Sequence, residues 1–271
     1  MPELPEVETT RRGIEPLLAG KVARNMLLRC TKLRRPIPRS LANVIQNQRL
    51  QAVGRRAKYL LFDFDRGQLL VHLGMSGSLR VLNQAKPAHK HDHWDINFDD
   101  NKTLRFTDPR RFGLTLWRDQ NDDQGSLLDH LGVEPLTAGF NGQYLLQRAR
   151  CRRVNVKSFI MDQRIVVGVG NIYASEALWL AGINPKRSAG RIALARYEKL
   201  TKAIKKVLNN AIEAGGTSLR DFSGVDGKPG YFQLRLRVYD REGKACRRCA
   251  GTIRRIVTTG RSTYYCPQCQ H

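Results

Sequence analysis

From Leu4 through Val7, Ile14 and Leu18 the apolar residues recur at helical intervals, and Gly20 stands where such a helix would stop. The chain therefore opens on one amphipathic helix. Between about residue 22 and residue 118 the period changes to two. HWDINFDD alternates His93, Asp95, Asn97 and Asp99 with Trp94, Ile96 and Phe98, and YLLFDFD, QLLVHL, TLRF and GLTLW also read as strands. Several short strands separated by Gly and Asp turns predict a β-sandwich. LGVEPLTAGFNG (131–142) is rich in Gly and Pro, has no period, and is the best candidate for a linker. Beyond it the period returns to helical. SFIMDQRIVVGVGNIYASEALWLAGINP reads as helix, tight glycine turn, helix, with Pro185 closing it. KLTKAIKKVLNNAIEAGG sets Leu200, Ile204, Val207, Leu208 and Ile212 on one face and ends in Gly215 and Gly216. The expected organisation is α+β in two domains: a sandwich over 1–130, a linker over 131–142, a helical domain over 143–235 and a C-terminal β-hairpin over 236–271.

Composition changes this picture by adding a partner. The 271 residues carry 47 Lys plus Arg against 24 Asp plus Glu, a formal charge of +23 spread from end to end. That exceeds what solubility requires, so a polyanion is expected, most simply nucleic acid. No signal-peptide pattern and no apolar run of membrane-spanning length is present, so a cytoplasmic, nucleoid-associated monomer is expected.

Four of the six cysteines fall in the last 26 residues, as CRRC (Cys246, Cys249) and CPQC (Cys266, Cys269). Two such knuckles at C-x2-C-x16-C-x2-C supply four thiolates for one tetrahedral, structural zinc. Between them GTIRRIVTTGRSTYYC predicts a hairpin turning near Gly260, with Arg261 at its tip in reach of a phosphate. Cys30 and Cys151 have no framework spacing and read as small apolar residues.

Weaker signals lie elsewhere. Gly168-Val-Gly170 is not a dinucleotide fingerprint, because Tyr173 occupies the third glycine position. Amides and Asn171 at a helix start suit a phosphate instead, with a plain tight turn as the alternative. TDPRRFG sets Arg110 and Arg111 beside Phe112, an aromatic able to wedge into a base stack, although a lone phenylalanine is more often core. Met75 in LGMSGS reads alone as a gap-filler, and Lys58 in GRRAKYLLF as a solvated strand lysine. His91 and His93 share one face of a strand, without a third ligand to suggest a metal. The start, MPELPEVETT, has two readings. With Met1 retained, Pro2 merely precedes a helix; with Met1 removed, its secondary amine is a nucleophile beside Glu3 and Glu6.

Taken in order, MPELPEVET, GRRAKYLL, HLGMSGSLR, KHDH, TDPRRFG, VVGVGNIYASE, DGKPGYF and the four-cysteine ribbon resemble the bacterial formamidopyrimidine-DNA glycosylases along essentially the whole chain. The resemblance implies a helix-two-turn-helix domain beside the sandwich, DNA between the lobes, and excision of oxidised purines, 8-oxoguanine and formamidopyrimidines, with abasic-site lyase action. It implies Pro2 as nucleophile, Glu3 in proton transfer, Glu6 in organising the site, Lys58 in β-elimination and Arg261 in δ-elimination. His91, Arg110, Arg152 and Asn171 would hold DNA, while Met75, Arg110 and Phe112 fill the gap left by the everted base. Residues 217–231 would cover that base. The alternatives are an endonuclease VIII-type glycosylase for oxidised pyrimidines and a non-enzymatic zinc-ribbon nucleic-acid-binding protein.

Overall fold

The computed structural model describes residues 2–84, 86–120, 127–216 and 236–271. The expected covering segment, 217–231, lies outside the described residues. Contacts divide the chain into two compact units, one holding 2–120 with 214–216, the other 127–213 with 236–271.

In the first unit α1 (Leu4–Leu18) starts at Glu3, which sits in extended backbone and forms a reciprocal capping box with Glu6. Glu6 Oε2 accepts from the Glu3 amide at 2.8 Å. Pro5 costs the helix nothing, because first-turn amides have no intrahelical acceptor. Val7, Ile14 and Leu18 are buried on the expected face, and Gly20 leaves the helix with φ +83°.

The chain then runs β1 (Ala23–Leu28), α2 (Leu41–Ile45), β2 (Leu50–Arg56), β3 (Tyr59–Phe64), β4 (Gly67–His72), β5 (Ser78–Leu82), β6 (Asp92–Phe98), β7 (Thr103–Thr107) and β8 (Leu114–Asp119). They form two antiparallel sheets of order β1-β6-β7-β5 and β2-β3-β4-β8. Met26, Trp94, Ile96, Leu104 and Phe106 of one sheet share a core with Val53, Leu60, Phe62, Leu69 and Val71 of the other, which is the expected sandwich. Trp94 stacks on Phe106 at 5.3 Å and donates its indole N–H across to Thr115 at 3.0 Å.

β6 departs from simple alternation. Asp92, His93 and Asp95 are as buried as Trp94 and Ile96. Arg105 covers the two aspartates: its guanidinium donates to Asp95 at 2.9 and 2.8 Å, to Asp92 at 3.3 Å, and to the carbonyls of Lys86 and Pro87 at 2.6 and 3.0 Å. Arg29 adds a bond to Asp95 at 2.6 Å. Burial alone would raise the Asp95 carboxyl, but Arg105 and Arg29 outweigh it and hold it below the usual carboxylate range.

The second unit runs α3 (Gly142–Ala149), α4 (Val156–Met161), α5 (Asn171–Ala181), a 3-10 turn (Ala189–Arg191), α6 (Leu194–Glu213), β9 (Arg254–Thr258) and β10 (Arg261–Tyr265). Asn141 and Asn155 cap α3 and α4 by accepting from Tyr144 and Ser158 amides. α5 is buried all round from Ile172 to Trp179, the reason its sequence has no polar stripe. α6 buries Leu200, Ile204, Val207, Leu208 and Ile212 and is followed by Gly215 and Gly216 at positive φ. Residues 131–142 lie in this unit, with Leu131 and Phe140 buried and the Gly132 amide donating to Gln163 at 2.7 Å. Among the described residues no helix is long and apolar enough to cross a membrane.

Candidate functional site

The first unit collects eight of the expected residues. Pro2 is buried directly ahead of Glu3 and Glu6, each 3% exposed, at the N-terminus of α1. α1 packs on β2 and β3, the strands joined by the turn that carries Lys58. The strand reading of this lysine needs correction. β2 and β3 pair through Arg56 and Tyr59, so Ala57 and Lys58 form a two-residue hairpin loop, and Lys58 is folded inward at 3% exposure. Beside it stands His72, at the end of β4 and paired with Tyr59 across the ladder. Burial, then the charges of Lys58 and Arg34, lower its pKa to about 4. His72 is therefore neutral at neutral pH. Its Nδ1 accepts the Gly74 amide at 2.9 Å, which leaves Nε2 as the protonated nitrogen.

Gly74 leads into the Met75 loop and must be glycine for two reasons. Its φ is +67°, and a Cβ there would lie 2.4 Å from the backbone of Phe112. The Met75 loop and the Arg110–Phe112 loop thus touch backbone to backbone. Asp108, fully buried, ties both. Its carboxylate accepts from Ser76 Oγ at 2.7 Å, the Arg110 amide at 3.3 Å and the Gly113 amide at 2.7 Å. Its amide donates to the His91 carbonyl at 3.0 Å, and its carbonyl accepts from His93 Nε2 at 2.7 Å. His93 is thereby an internal support, while His91 stays half-buried in the loop. Phe112 is not core: it is 47% exposed, with the Arg110 guanidinium 4.9 Å from its ring centroid. Met75 is half-buried.

The second unit holds the others. Arg152 is exposed, with its Nε donating to the Arg148 carbonyl at 2.9 Å. Gly168 takes φ +79° and Gly170 caps α5, so the glycine pair makes the turn into the helix. Asn171, first in that helix, accepts from Lys157 Nζ at 2.5 Å and donates to the Ser262 carbonyl at 3.0 Å. Lys157, 2% exposed, also donates to Ser262 O and Thr263 Oγ1 at 3.0 and 2.7 Å. This buried cation fixes Asn171 against β10, whose first residue is Arg261. Arg261 is exposed just after Thr259 and Gly260, both at positive φ, the pattern of a type I′ hairpin turn.

The sulfurs of Cys246, Cys249, Cys266 and Cys269 lie within 4.8 Å of one another. Cys246 and Cys269 sulfurs stand 3.9 Å apart, Cys249 and Cys266 sulfurs 3.5 Å. Tetrahedral zinc at about 2.3 Å from each thiolate sets its ligands roughly 3.8 Å apart, so the four fit one ion with no open position. Trp179 donates its indole N–H to Cys246 Sγ at 3.4 Å and is covered by the guanidinium of Arg248 at 4.3 Å.

His72, Asp108, Lys157 and Glu176 had escaped the sequence reading. Glu176 is buried in α5, and its carboxylate accepts the amides of Arg237, Val238 and Tyr239 between 2.8 and 3.0 Å. Burial pushes its carboxyl up against those bonds. Polar letters inside otherwise apolar stretches, as in QLLVHL and ASEALWL, were the available signal.

Comparison with known proteins gives these arrangements a lineage. Profiles of the formamidopyrimidine-DNA glycosylase N-terminal domain, its H2TH domain, and the zinc finger found in FPG and IleRS match residues 1–115, 131–223 and 243–271. The formamidopyrimidine-DNA glycosylase of Acidithiobacillus ferrooxidans is 55% identical over 270 residues, and that of Alcanivorax borkumensis 54%, each covering 100% of both chains. Among solved structures, wild-type Lactococcus lactis Fpg (MutM) with N7-benzyl-Fapy-dG DNA superposes with TM-score 0.92 at 32% identity over 100% of both chains. MutM in complex with carbocyclic 8-oxo-G containing DNA gives 0.91 at 32%, again over 100% of both chains. With all three domain profiles in order and full-length identity above half, the chain belongs to the formamidopyrimidine-DNA glycosylase family.

Proposed function

We propose that this protein removes oxidised purines, 8-oxoguanine and formamidopyrimidines, from duplex DNA and then cleaves the strand at the abasic site. The observation that carries the reading is the buried pair Glu3 and Glu6 at the start of α1, immediately behind Pro2. Excision of Met1 turns the Pro2 amide into a secondary amine. A helix N-terminus disfavours an ammonium, and the reference α-amino pKa lies near 8, so a neutral fraction is available at pH 7.

Attack of that amine on C1′ forms a C–N bond as the glycosidic bond breaks, and the base leaves with a proton. Opening of the sugar ring, with Glu3 moving the proton at the ring oxygen, yields an iminium. That cation accepts the electron pair released when C2′ loses a proton, and the 3′-phosphate departs. A second elimination expels the 5′-phosphate, and water then releases Pro2. In this reading Lys58 holds phosphate and serves the first elimination, and Arg261 serves the second. Glu6 organises the site, a role supported by the bond its carboxylate accepts from the Glu3 amide. His91, Arg110, Arg152 and Asn171 hold the backbone. Phe112, exposed with Arg110 over its ring, and Met75 beside it occupy the space of the everted base. The four cysteines hold zinc, which supplies folding of the hairpin rather than chemistry. The +23 charge keeps the protein on DNA, and so at the nucleoid.

Borohydride reduction with an 8-oxoguanine duplex should give a covalent adduct mapping to Pro2. Glu3→Gln should lose excision by about 10² to 10⁴, the usual loss of acid–base catalysis, while lyase action on a ready-made abasic site survives better. An adduct on a lysine, or equal loss of both activities, would refute the assignment.

A further inference from the structure

The Lys58 turn is built against the preference of its own sequence. Ala57 takes φ +54° and Lys58 does not, a two-residue hairpin whose first position calls for glycine. Ala57 is fully buried, so solvent does not relieve it. A second contact holds the turn. Arg55 Nη1 donates to the Ala57 carbonyl at 2.9 Å, fixing the peptide plane that joins Ala57 to Lys58. The same guanidinium, through Nε, donates to Glu8 at 2.9 Å.

Glu8 lies on α1, five residues after Glu3. Its carboxylate is a hub: Arg11 donates at 2.9 Å, Arg12 at 2.9 Å, and Arg55 approaches from β2. Glu8 and Arg55 side chains are only 12% and 11% exposed, so this pair is not a solvated surface bridge of small worth. Burial opposes ionisation of Glu8, yet the three arginines keep it below the usual carboxylate range. Arg11 also donates to the Val53 carbonyl, at 3.3 Å, and so fastens the same helix face to the same strand.

We infer that Glu8 and Arg55 are positioning residues: they lock the helix that carries Pro2 to the strained turn that carries Lys58, and so set where the lysine stands relative to the amine. This rests on the reading of Lys58 given above. The role assigned to both is indirect, through the turn and the helix. Their service is to keep a conformation that alanine at position 57 disfavours, with the fork of one arginine spanning carboxylate and carbonyl.

The test is a set of single-turnover measurements on an abasic-site duplex, with borohydride trapping as the reading of iminium formation. Arg55→Met should slow β-elimination by about 10- to 100-fold, the range expected when a reacting group is misplaced by an ångström, with little change in trapping. Arg55→Lys keeps the charge but not the fork and should recover only part. Adding Ala57→Gly to Arg55→Met should restore most of the loss, because glycine holds a positive φ unaided. The pair Arg55→Met and Lys58→Ala should be no slower than Lys58→Ala alone. Wild-type elimination by Arg55→Met, failure of the glycine to rescue, or losses that multiply with Lys58→Ala would each overturn the inference. If Lys58→Ala itself eliminates normally, the role given to Lys58 fails instead. The lock is then judged by melting: Arg55→Met should lower Tm and Ala57→Gly should recover it, and a drop that glycine deepens overturns the lock.

Discussion

Asp108 offers the sharpest check on how the Met75 and Arg110–Phe112 loops are held. Its carboxylate spends Oδ1 on Ser76 Oγ and the Arg110 amide and Oδ2 on the Gly113 amide. Asp108→Asn keeps shape and volume but replaces one oxygen by a donor. If the amide oxygen stays with Ser76 and Arg110, the new NH2 meets the Gly113 N–H. If it flips, the NH2 meets Ser76 Oγ and the Arg110 amide instead, and that amide keeps only its 3.2 Å bond to Ser76 Oγ. Either way a buried, charge-assisted bond goes and an amide is left facing a donor. Gly113 is buried and its neighbours leave no space for rearrangement, since even a Cβ there would sit 2.7 Å from the Phe106 ring. A lost bond to a charged acceptor together with an unsatisfied amide costs about 2 to 3 kcal/mol.

That cost falls on the loop rather than on the whole molecule, so it is best read as local opening. Hydrogen exchange of the 106–116 segment should accelerate by about 30- to 150-fold, the equivalent of 2 to 3 kcal/mol, if exchange follows local opening. Ser76→Ala removes one neutral donor and the oxygen that shares the Arg110 amide, but leaves the carboxylate its two amides, so it should cost about 1 kcal/mol, roughly fivefold. Exchange in β2 and β3, away from the knot, should be unchanged in both. Lesion excision should fall with Asp108→Asn because Arg110 and Phe112 would no longer be held in one arrangement before DNA arrives. If Asp108→Asn protects the segment as well as the wild type does, or merely matches Ser76→Ala, Asp108 is not the knot its geometry describes.

Other expectations are simpler to state. Chelation of zinc, or Cys249→Ser, should unfold the hairpin and change Trp179 fluorescence, since the indole bonds Cys246; sandwich signals should persist, and an unmoved Trp179 signal after verified metal loss would contradict this. DNA affinity should fall steeply with salt, with a log–log slope of roughly −5 if about six phosphates are neutralised; a flat dependence would mean the charge faces no backbone. Asp95 has its carboxyl held low, so its pairing with Arg105 and Arg29 stabilises above the ordinary carboxylate pKa and is lost as pH falls through the depressed one. Asp95→Asn should therefore melt lower than wild type near pH 7 and approach it in acid; a gap that widens below about pH 4 would reverse the sign.

The parts that sequence patterning reached were those with a strong local period or spacing. α1, the strands and α6 each bury a face wide enough to leave a period of 3.6 or 2, and four cysteines at knuckle spacing have few other uses. Phe112 was open to two readings because exposure is set by the neighbours of a loop, not by its letters; the touch between Gly74 and the Phe112 backbone, across 38 positions, decides that it projects. Lys58 was misplaced on a strand for a related reason. RRAKYL contains no Gly, Asn or Asp to announce a two-residue turn, and the signal was missing because the turn is stabilised from outside itself.

That absence has its own logic. A turn with glycine at its first position would form locally, whether or not the helix were in place. Alanine at φ +54° relies on its surroundings, and Arg55, itself fixed by a carboxylate on the helix that begins just behind Pro2, donates to its carbonyl. The turn is thereby made conditional on α1 being docked. A lysine assigned to work on an iminium formed at the end of that helix is presented only when the helix is in place. Local sequence preference fails at position 57 because the conformation there answers to a contact that spans 47 residues, between Glu8 and Arg55.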